Sequence, residues 1–322
     1  MIAGYITASK TILAKVEESS ETPKLFNLAE YENSDFSGFE SVISLYYRKY
    51  KPAKTIACFG IAGPVIDNKV SATNLPWEFD AIQLKEKLNI PTVKICNDIY
   101  ATAKGLFELS DDKFFILNKG VKKNDGHIGI IAAGHGLGQG LVYHENGKYY
   151  PYESEGGHTG FTPGNQLEIE LWEHLYSNIG FVEAEDVVSL RGLERIYEFM
   201  LFRKRATKPD WFKKSKDKPA QIIEHALSGK DEIAVMTLDL FVDCLANETA
   251  NLALKGLTLG GIYLCGIIAP QIITVLEHER FMDRFVQRGK MAQLLEQIPV
   301  SVIIEEKTAL IGAGKIAYEM IQ

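Results

Sequence analysis

The feature that most limits what this chain can fold into is Thr55-Ile-Ala-Cys-Phe-Gly-Ile-Ala, an almost unbroken apolar run stopped by Gly63-Pro64. A strand that is apolar at consecutive positions must be covered on both faces, as in a parallel sheet flanked by helices. Thr92-Val-Lys-Ile-Cys, stopping at Asn97-Asp98, reads the same way, as do Ile128 to Ala133 and Gly261 to Cys265. Two short strands are expected between Ile2 and Glu17 around the polar turn Thr7-Ala8-Ser9-Lys10, and a last strand from Val300 to Glu305. Helical spacing separates them. Phe39, Val42, Ile43, Tyr46, Tyr47 and Tyr50 recur at helical intervals over 36–51, and Pro52 closes that segment. Further helices are expected over 99–109, 166–178, 184–201, 219–258 and 309–321, with a short one near Pro270 and the small residues Gly312-Ala313-Gly314 opening the final helix. Strands and helices alternating in this way predict an α/β fold with partly parallel sheets. The 322 residues suffice for two domains, each with its own core. No internal repeat is visible in the residues.

Charge and cysteine usage exclude several functions. Lys and Arg number 35 against 42 Asp and Glu, a net charge of −7, which argues against a nucleic-acid partner. The basic stretch from Arg203 to Lys218 around Trp211 reads as a solvated loop between helices rather than a phosphate-attracting patch. Cys58, Cys96, Cys244 and Cys265 lie far apart without a CxxC pairing, as expected of reduced, buried thiols. No basic n-region precedes an apolar core at the start, and no apolar run approaches the roughly 20 residues that cross a bilayer. A soluble, cytoplasmic protein without membrane partners is expected.

Several short motifs could carry chemistry. Asn97-Asp98 follows a buried strand and precedes a helix, so it can serve simply as an N-cap. It also stands at the carboxyl end of a strand, where open α/β sheets place ligands. A carboxylate there can take a proton from an attacking hydroxyl. Glu155-Gly156-Gly157-His158 puts an acid and an imidazole on a tight turn, a combination suited to sugar hydroxyls, and equally readable as a charged loop. Thr73-Asn74-Leu75-Pro76-Trp77 sets an amide beside an aromatic ring. Glu185 lies near the start of a predicted helix, where a first-turn acid is also favoured by the helix dipole. The alternating glycines of Gly134-His135-Gly136-Leu137-Gly138-Gln139-Gly140 could bring backbone close to a phosphate, or could simply form a hairpin. The segment lacks the Gly-Lys-Ser/Thr ending of a Walker A loop.

Taken in order, these stretches resemble the bacterial glucokinase family of the hexokinase–actin fold. The resemblance covers nearly the whole chain. It rests on Ala72-Thr73-Asn74 with Trp77, Cys96-Asn97-Asp98, Glu155-Gly156-Gly157-His158 with Phe161 and Pro163, Ala184-Glu185, Asn251-Leu-Ala-Leu and Leu310-Ile-Gly-Ala-Gly. It implies a two-domain actin-like/hexokinase (ribonuclease H-like) α/β fold with a cleft between domains. The small domain would comprise 1–108 plus 306–322, and the large one 109–305. It further implies ATP-dependent phosphorylation of a hexose, in the first instance glucose, at the 6-hydroxyl, with Asp98 as general base. Asn74, Asn97, Asp98, Glu155, His158 and Glu185 would bind the sugar. Thr7, Ala8, Ser9, Gly134, His135, Gly136 and Gly266 would face the nucleotide, used with Mg²⁺. The related repressor–kinase family carries a cysteine-rich zinc motif that has no counterpart after His158, so no bound metal site is expected. A homodimer is implied by analogy alone.

Departures from the family pattern fall on the nucleotide side. The usual Asp-x-Gly-Gly-Thr-Asn turn reads Tyr5-Ile6-Thr7-Ala8-Ser9-Lys10, His135 replaces a threonine, and Gly266-Ile267 replaces a Gly-Gly pair. Two readings therefore stay open: a glucokinase that tolerates these changes, and a sugar-binding or regulatory protein with weak or lost transfer. A purely structural actin-like protein would leave Asp98 and the sugar-facing set unexplained.

Overall fold

The computed structural model describes residues 1–17, 23–53, 55–71, 75 and 77–321. The chain divides into two compact units, one of Met1–Lys113, Pro151–Ser154 and Glu305–Gln322, the other of Phe114–Tyr150 and Glu155–Ile304.

The first unit holds β1 (Ile2–Ile6), β2 (Lys10–Val16), β3 (Leu25–Glu32), β4 (Ile56–Ile61), the short pair β5 (Lys69–Ser71) and β6 (Glu78–Asp80), and β7 (Thr92–Asn97). Its main sheet runs β3-β2-β1-β4-β7. β1 is antiparallel to β2 and parallel to β4, which is parallel to β7. Successive residues of a strand point to opposite faces, and here the two faces differ in size. Ile2, Leu13 and Phe59 join Phe39, Ile43 and Tyr46 of the helix Phe39–Tyr50 in one core. Their neighbours Ala3, Ala14 and Cys58 join Cys96, Leu310, Ala313 and Ala317 in another. Small side chains on that second face let the helices Asp98–Leu106 and Thr308–Glu319 lie close to the sheet. The two helices also meet backbone to backbone. A Cβ on Gly105 would fall 2.0 Å from the Thr308 carbonyl oxygen, and one on Gly312 would fall 1.7 Å from that of Ala101. The small-residue run at 312–314 is therefore a packing requirement, and it fixes the helix that begins with Asp98.

The second unit holds β8 (Phe114–Asn118), β9 (Ile128–Ala133), β10 (Leu137–Glu145), the first three residues of β11 (Lys148–Ser154), β12 (Gly261–Cys265) and β13 (Val300–Ile303), in the sheet order β11-β10-β9-β12-β13-β8. β9 pairs antiparallel with β10 and parallel with β12, and β12 is parallel to β13. The turn between β10 and β11 is Asn146-Gly147, both at positive φ (50° and 77°), as a two-residue primed hairpin turn demands. Its core surrounds the helix Glu232–Gly256, which is buried over most of its circumference.

Both sheets use one plan: a three-strand segment followed by two parallel strands, β3-β2-β1-β4-β7 in one and β11-β10-β9-β12-β13 in the other. The repeat absent from the residues is thus present in the topology.

Several boundaries differ from expectation. The stretch 184–201 is not one helix: the helix is Leu190–Lys204, capped by Ser189, whose hydroxyl accepts from the Gly192 N–H at 3.0 Å. The stretch 219–258 splits into Lys218–Leu227 and Glu232–Gly256 at Gly229, which takes φ 64°. Gly138 and Gly140 belong to β10 rather than to a loop. β3, β8 and β11 were not expected. Each stands at a sheet edge and is at best half-buried along its length, so no apolar run marks it. All four cysteines are free and buried. Among the described residues no helix is long and apolar enough to cross a membrane.

Candidate active site

At the end of β7 the cap is Asn97. Its Oδ1 accepts from the N–H groups of Ile99 (2.7 Å) and Tyr100 (3.4 Å), while its Nδ2 donates to the Gly63 carbonyl (3.0 Å). Asn97 is buried and so also ties the loop after β4 to the helix start. Asp98, half-buried, is the first helical residue, and its Oδ1 accepts from the Ile99 N–H at 2.9 Å. Gly60 of β4 faces it: a Cβ there would fall 3.1 Å from the Ala101 Cβ and 3.9 Å from the Asp98 Cα. Asn74, with Ala72 and Thr73, lies outside the described residues. Trp77 is core, packed edge-on against Phe79 at 6.3 Å.

In the second unit three segments converge. Gly156–His158 form a single 3₁₀ turn lying on the start of β10. A Cβ on Gly157 would sit 2.0 Å from the Leu137 carbonyl oxygen, and one on Gly156 would sit 2.7 Å from the Gln139 side-chain oxygen. Gly157, whose Cβ would meet backbone, is needed for that approach, while Gly156 leaves room for the Gln139 side chain. The chain after the turn then pairs with 182–185: the Phe161 N–H donates to Val182 (2.9 Å), Ala184 to Thr159 (2.8 Å) and Glu185 to Gly157 (2.8 Å). Residues two apart in extended chain share a side, so Glu183 and Glu185 both come beside the turn. Sequence reasoning placed Glu185 at a helix start and passed over Glu183. The alternation Val182-Glu183-Ala184-Glu185, with Val182 and Ala184 buried, was the available signal.

Each acid has a distinct environment. Glu185 is nearly buried. Its Oε2 accepts from the Leu137 N–H (2.9 Å), and its Oε1 meets Arg191 (3.2 Å). A Cβ on Gly136 would fall 2.3 Å from that Oε2, so Gly136 makes room for the carboxylate. Asp186 accepts from the Glu183 N–H (3.0 Å) and pairs with Arg195 and Arg191. His158 donates from Nδ1 to the Glu183 Oε2 (2.8 Å), and its Nε2 lies 3.9 Å from the Glu155 Oε2. The Glu183 hydrogen bond raises the His158 pKa above the ordinary 6.5, against desolvation, with Glu185, Glu183 and Glu155 adding through-space attraction.

The nucleotide-side residues can be described within each unit. The Thr7-Ala8-Ser9 turn is closed by the Thr7 N–H donating to the Lys10 carbonyl (2.8 Å) and by the Lys10 N–H donating to the Thr7 hydroxyl (2.9 Å). None of the three takes a positive φ. Buried Asn33 clamps the turn: its N–H donates to the Ser9 carbonyl (2.7 Å), its Nδ2 to the Thr7 carbonyl (2.9 Å), and its Oδ1 accepts from Thr11 (2.7 Å). The N–H groups of Ala8 and Ser9 reach no acceptor among the described residues. Lys10 faces Glu32 (3.4 Å) and Glu30 (4.0 Å).

In the second unit, the Gly134 N–H donates to the Gly136 carbonyl (2.9 Å), and Ile267 stands 3.7 Å from where a Gly134 Cβ would be. Gly266, at φ 84°, lies against the Ala133 carbonyl. His135 is exposed, and desolvation by the surrounding protein lowers its pKa, with Asp217 opposing. The basic stretch is largely paired, Arg203 with Glu170, Lys208 with Glu198, Lys214 with Asp210 and Lys218 with Glu194. Among the described residues no cluster of three or more His, Cys, Asp or Glu is arranged to hold a metal ion.

A mixed α/β architecture with two sheets on one plan and no barrel is that of the actin-like/hexokinase sugar kinases. The solved glucokinase of an Antarctic psychrotroph superposes with a TM-score of 0.81 at 26% identity, covering 99% of this chain and 98% of that one. The glucokinase of Balamuthia mandrillaris, solved in complex with glucose, gives 0.82 at 20% identity, covering 99% and 93%, a likeness of fold. Residues 2–320 match the Glucokinase family. The Trichormus variabilis glucokinase is 38% identical over 98% of this chain and 97% of its own length, and that of Synechocystis sp. 34% over 97% and 96%. The chain belongs to the bacterial glucokinase family and is a glucokinase-type sugar kinase.

The His158–Glu183 pair has a testable proton linkage. A raised folded pKa stabilises the fold fully below the unfolded value and loses that contribution as pH rises through the folded value. His158→Gln should therefore cost more stability near about pH 6 than near about pH 9, by at most about 1 kcal/mol because both side chains are solvent-screened. Denaturant melts of both proteins across pH measure this. A difference that does not vary with pH contradicts the pair.

Proposed function

We propose that the chain phosphorylates the 6-hydroxyl of glucose, with Asp98 as the general base. The observation that carries this reading is the pairing of 157–161 with 182–185, which brings Glu183 and Glu185 to the turn that already holds Glu155 and His158. Sugar hydroxyls donate and accept at once, and carboxylates beside an imidazole meet both needs. Glu155, His158 and Glu185, with Asn97 and Asn74, are assigned to hold the hydroxyls. Asp98 begins a helix at the carboxyl end of a parallel strand, the usual ligand position in such sheets. There it orients the attacking hydroxyl and accepts its proton. The family resemblance also supports a homodimer.

ATP supplies the phosphoryl group when bound. The N–H groups of Ala8 and Ser9, which reach no acceptor among the described residues, suit phosphate oxygens, and Gly134, His135, Gly136 and Gly266 are assigned to the same ligand. The fit to Mg²⁺ is poor at Tyr5, which offers no carboxylate to a hard cation. A second reading, a sugar-binding or regulatory protein with little transfer, draws on the same turn. Closed by Thr7 and clamped by Asn33 without a positive φ, it lacks the freedom that glycine would give. We favour a kinase whose weak step is nucleotide binding.

Asp98→Asn should keep much of the sugar affinity and lower turnover by roughly 10²–10⁴-fold. A coupled assay of ADP release with glucose, ATP and Mg²⁺ reads this directly. Turnover equal to the parent's would reduce Asp98 to a structural residue.

The turn has its own test. Tyr5→Asp with Thr7→Gly and Ala8→Gly should lower the KM for ATP and raise ATP-dependent turnover. Should the parent already work at about 1–100 per second with glucose and ATP, as ordinary kinases do, the account of a hampered turn is wrong.

A further inference from the structure

We propose that Glu183 is a positioning residue of the sugar site, acting through His158 to set which ring nitrogen faces the substrate. The inference rests on the reading of Glu155 and His158 as sugar ligands and extends it to a residue outside that set.

The geometry is specific. Glu183 is fixed at its backbone from two sides. It forms an isolated antiparallel bridge with Gly160, and its N–H donates to the Asp186 carboxylate at 3.0 Å. Asp186 is itself nearly buried and paired with Arg195 and Arg191, so this anchor is firm. From that base the Glu183 side chain reaches the His158 Nδ1 at 2.8 Å. A carboxylate accepts only, so Nδ1 must carry the proton. Nε2 is left on the Glu155 side, 3.9 Å from its Oε2. An imidazole whose one nitrogen is held by an acid has its tautomer and ring plane set by that bond.

The charged groups facing His158 are Glu155 from its own turn and Glu183 and Glu185 from the paired segment. β10 beneath contributes the neutral Leu137 and Gln139. Three carboxylates around one imidazole favour its charged form, in which Nε2–H donates to a sugar hydroxyl that Glu155 can also bind. Glu183 thereby extends the pH range over which His158 is a donor.

Glucose KM and kcat measured across pH for the parent, Glu183→Gln, Glu183→Ala, His158→Ala and the Glu183→Ala/His158→Ala pair test this. Glu183→Ala should raise the glucose KM about tenfold, the scale of one charge-assisted hydrogen bond, with kcat changed much less. The alkaline limb of kcat/KM should move toward acid in both Glu183 variants, because the largest influence raising the His158 pKa is gone. In the His158→Ala background, removing Glu183 should add almost nothing. A normal KM and pH profile in Glu183→Ala, with a raised KM in His158→Ala, overturns the role of Glu183 alone. Additive effects in the double variant overturn it too. A normal KM in His158→Ala overturns the sugar-site reading itself, and this inference with it.

Discussion

The contact between Gly157 and the Leu137 carbonyl is the constraint on which the rest of the second unit's site depends. Only a residue without a Cβ lets the turn lie on the first residues of β10 at that distance. Once seated, the turn offers its backbone to 182–185, and three N–H···O bonds draw a segment some 25 residues downstream alongside it. Those bonds place Glu183 against His158, and Gly136 opens the space into which Glu185 fits. The glycines at 136, 156 and 157 are explained by packing before any ligand is considered. The side chains they free are the ones assigned to the sugar.

The fold was legible wherever burial was strong. The runs at 56–61, 128–133 and 261–265 are central strands, covered on both faces, and their apolar continuity made them readable. The run at 92–97 stands at a sheet edge but is buried over its last three residues, which kept it readable. The edge strands β3, β8 and β11 were not readable because exposure removes the pattern. The common plan of the two sheets was hidden for a related reason. Topology constrains strand order and direction, whereas each sheet fills its faces with different residues, such as the alanines and cysteines against the Gly105–Gly312 helix pair.

The local placement of the candidate site residues was legible where neighbouring sequence carried it. Asn97 as a cap follows from its position after a strand. Glu155 and His158 share one turn. Glu183 was missed because its meaning lies in a partner 25 residues away, and because the alternation at 182–185 was read as the approach to a helix. Asn33 was missed likewise. A buried asparagine whose backbone N–H and side-chain amide bond two carbonyls of a distant turn, and whose Oδ1 accepts from Thr11 of β2, leaves no trace in its own neighbourhood. That clamp changes the view of the first turn. Thr7 is not only bulkier than glycine, its hydroxyl is hydrogen-bonded into a closed form, while the N–H groups of Ala8 and Ser9 reach no acceptor among the described residues.

The account's central claim is that the sugar-binding groups are assembled by backbone pairing, without help from nucleotide. Calorimetric titration of the ligand-free protein with glucose tests this most directly. The account predicts saturable heat at or below about millimolar glucose, and much weaker binding of Mg·ATP in a parallel titration. A flat titration with millimolar glucose, or tight Mg·ATP binding with no response to the sugar, would contradict it.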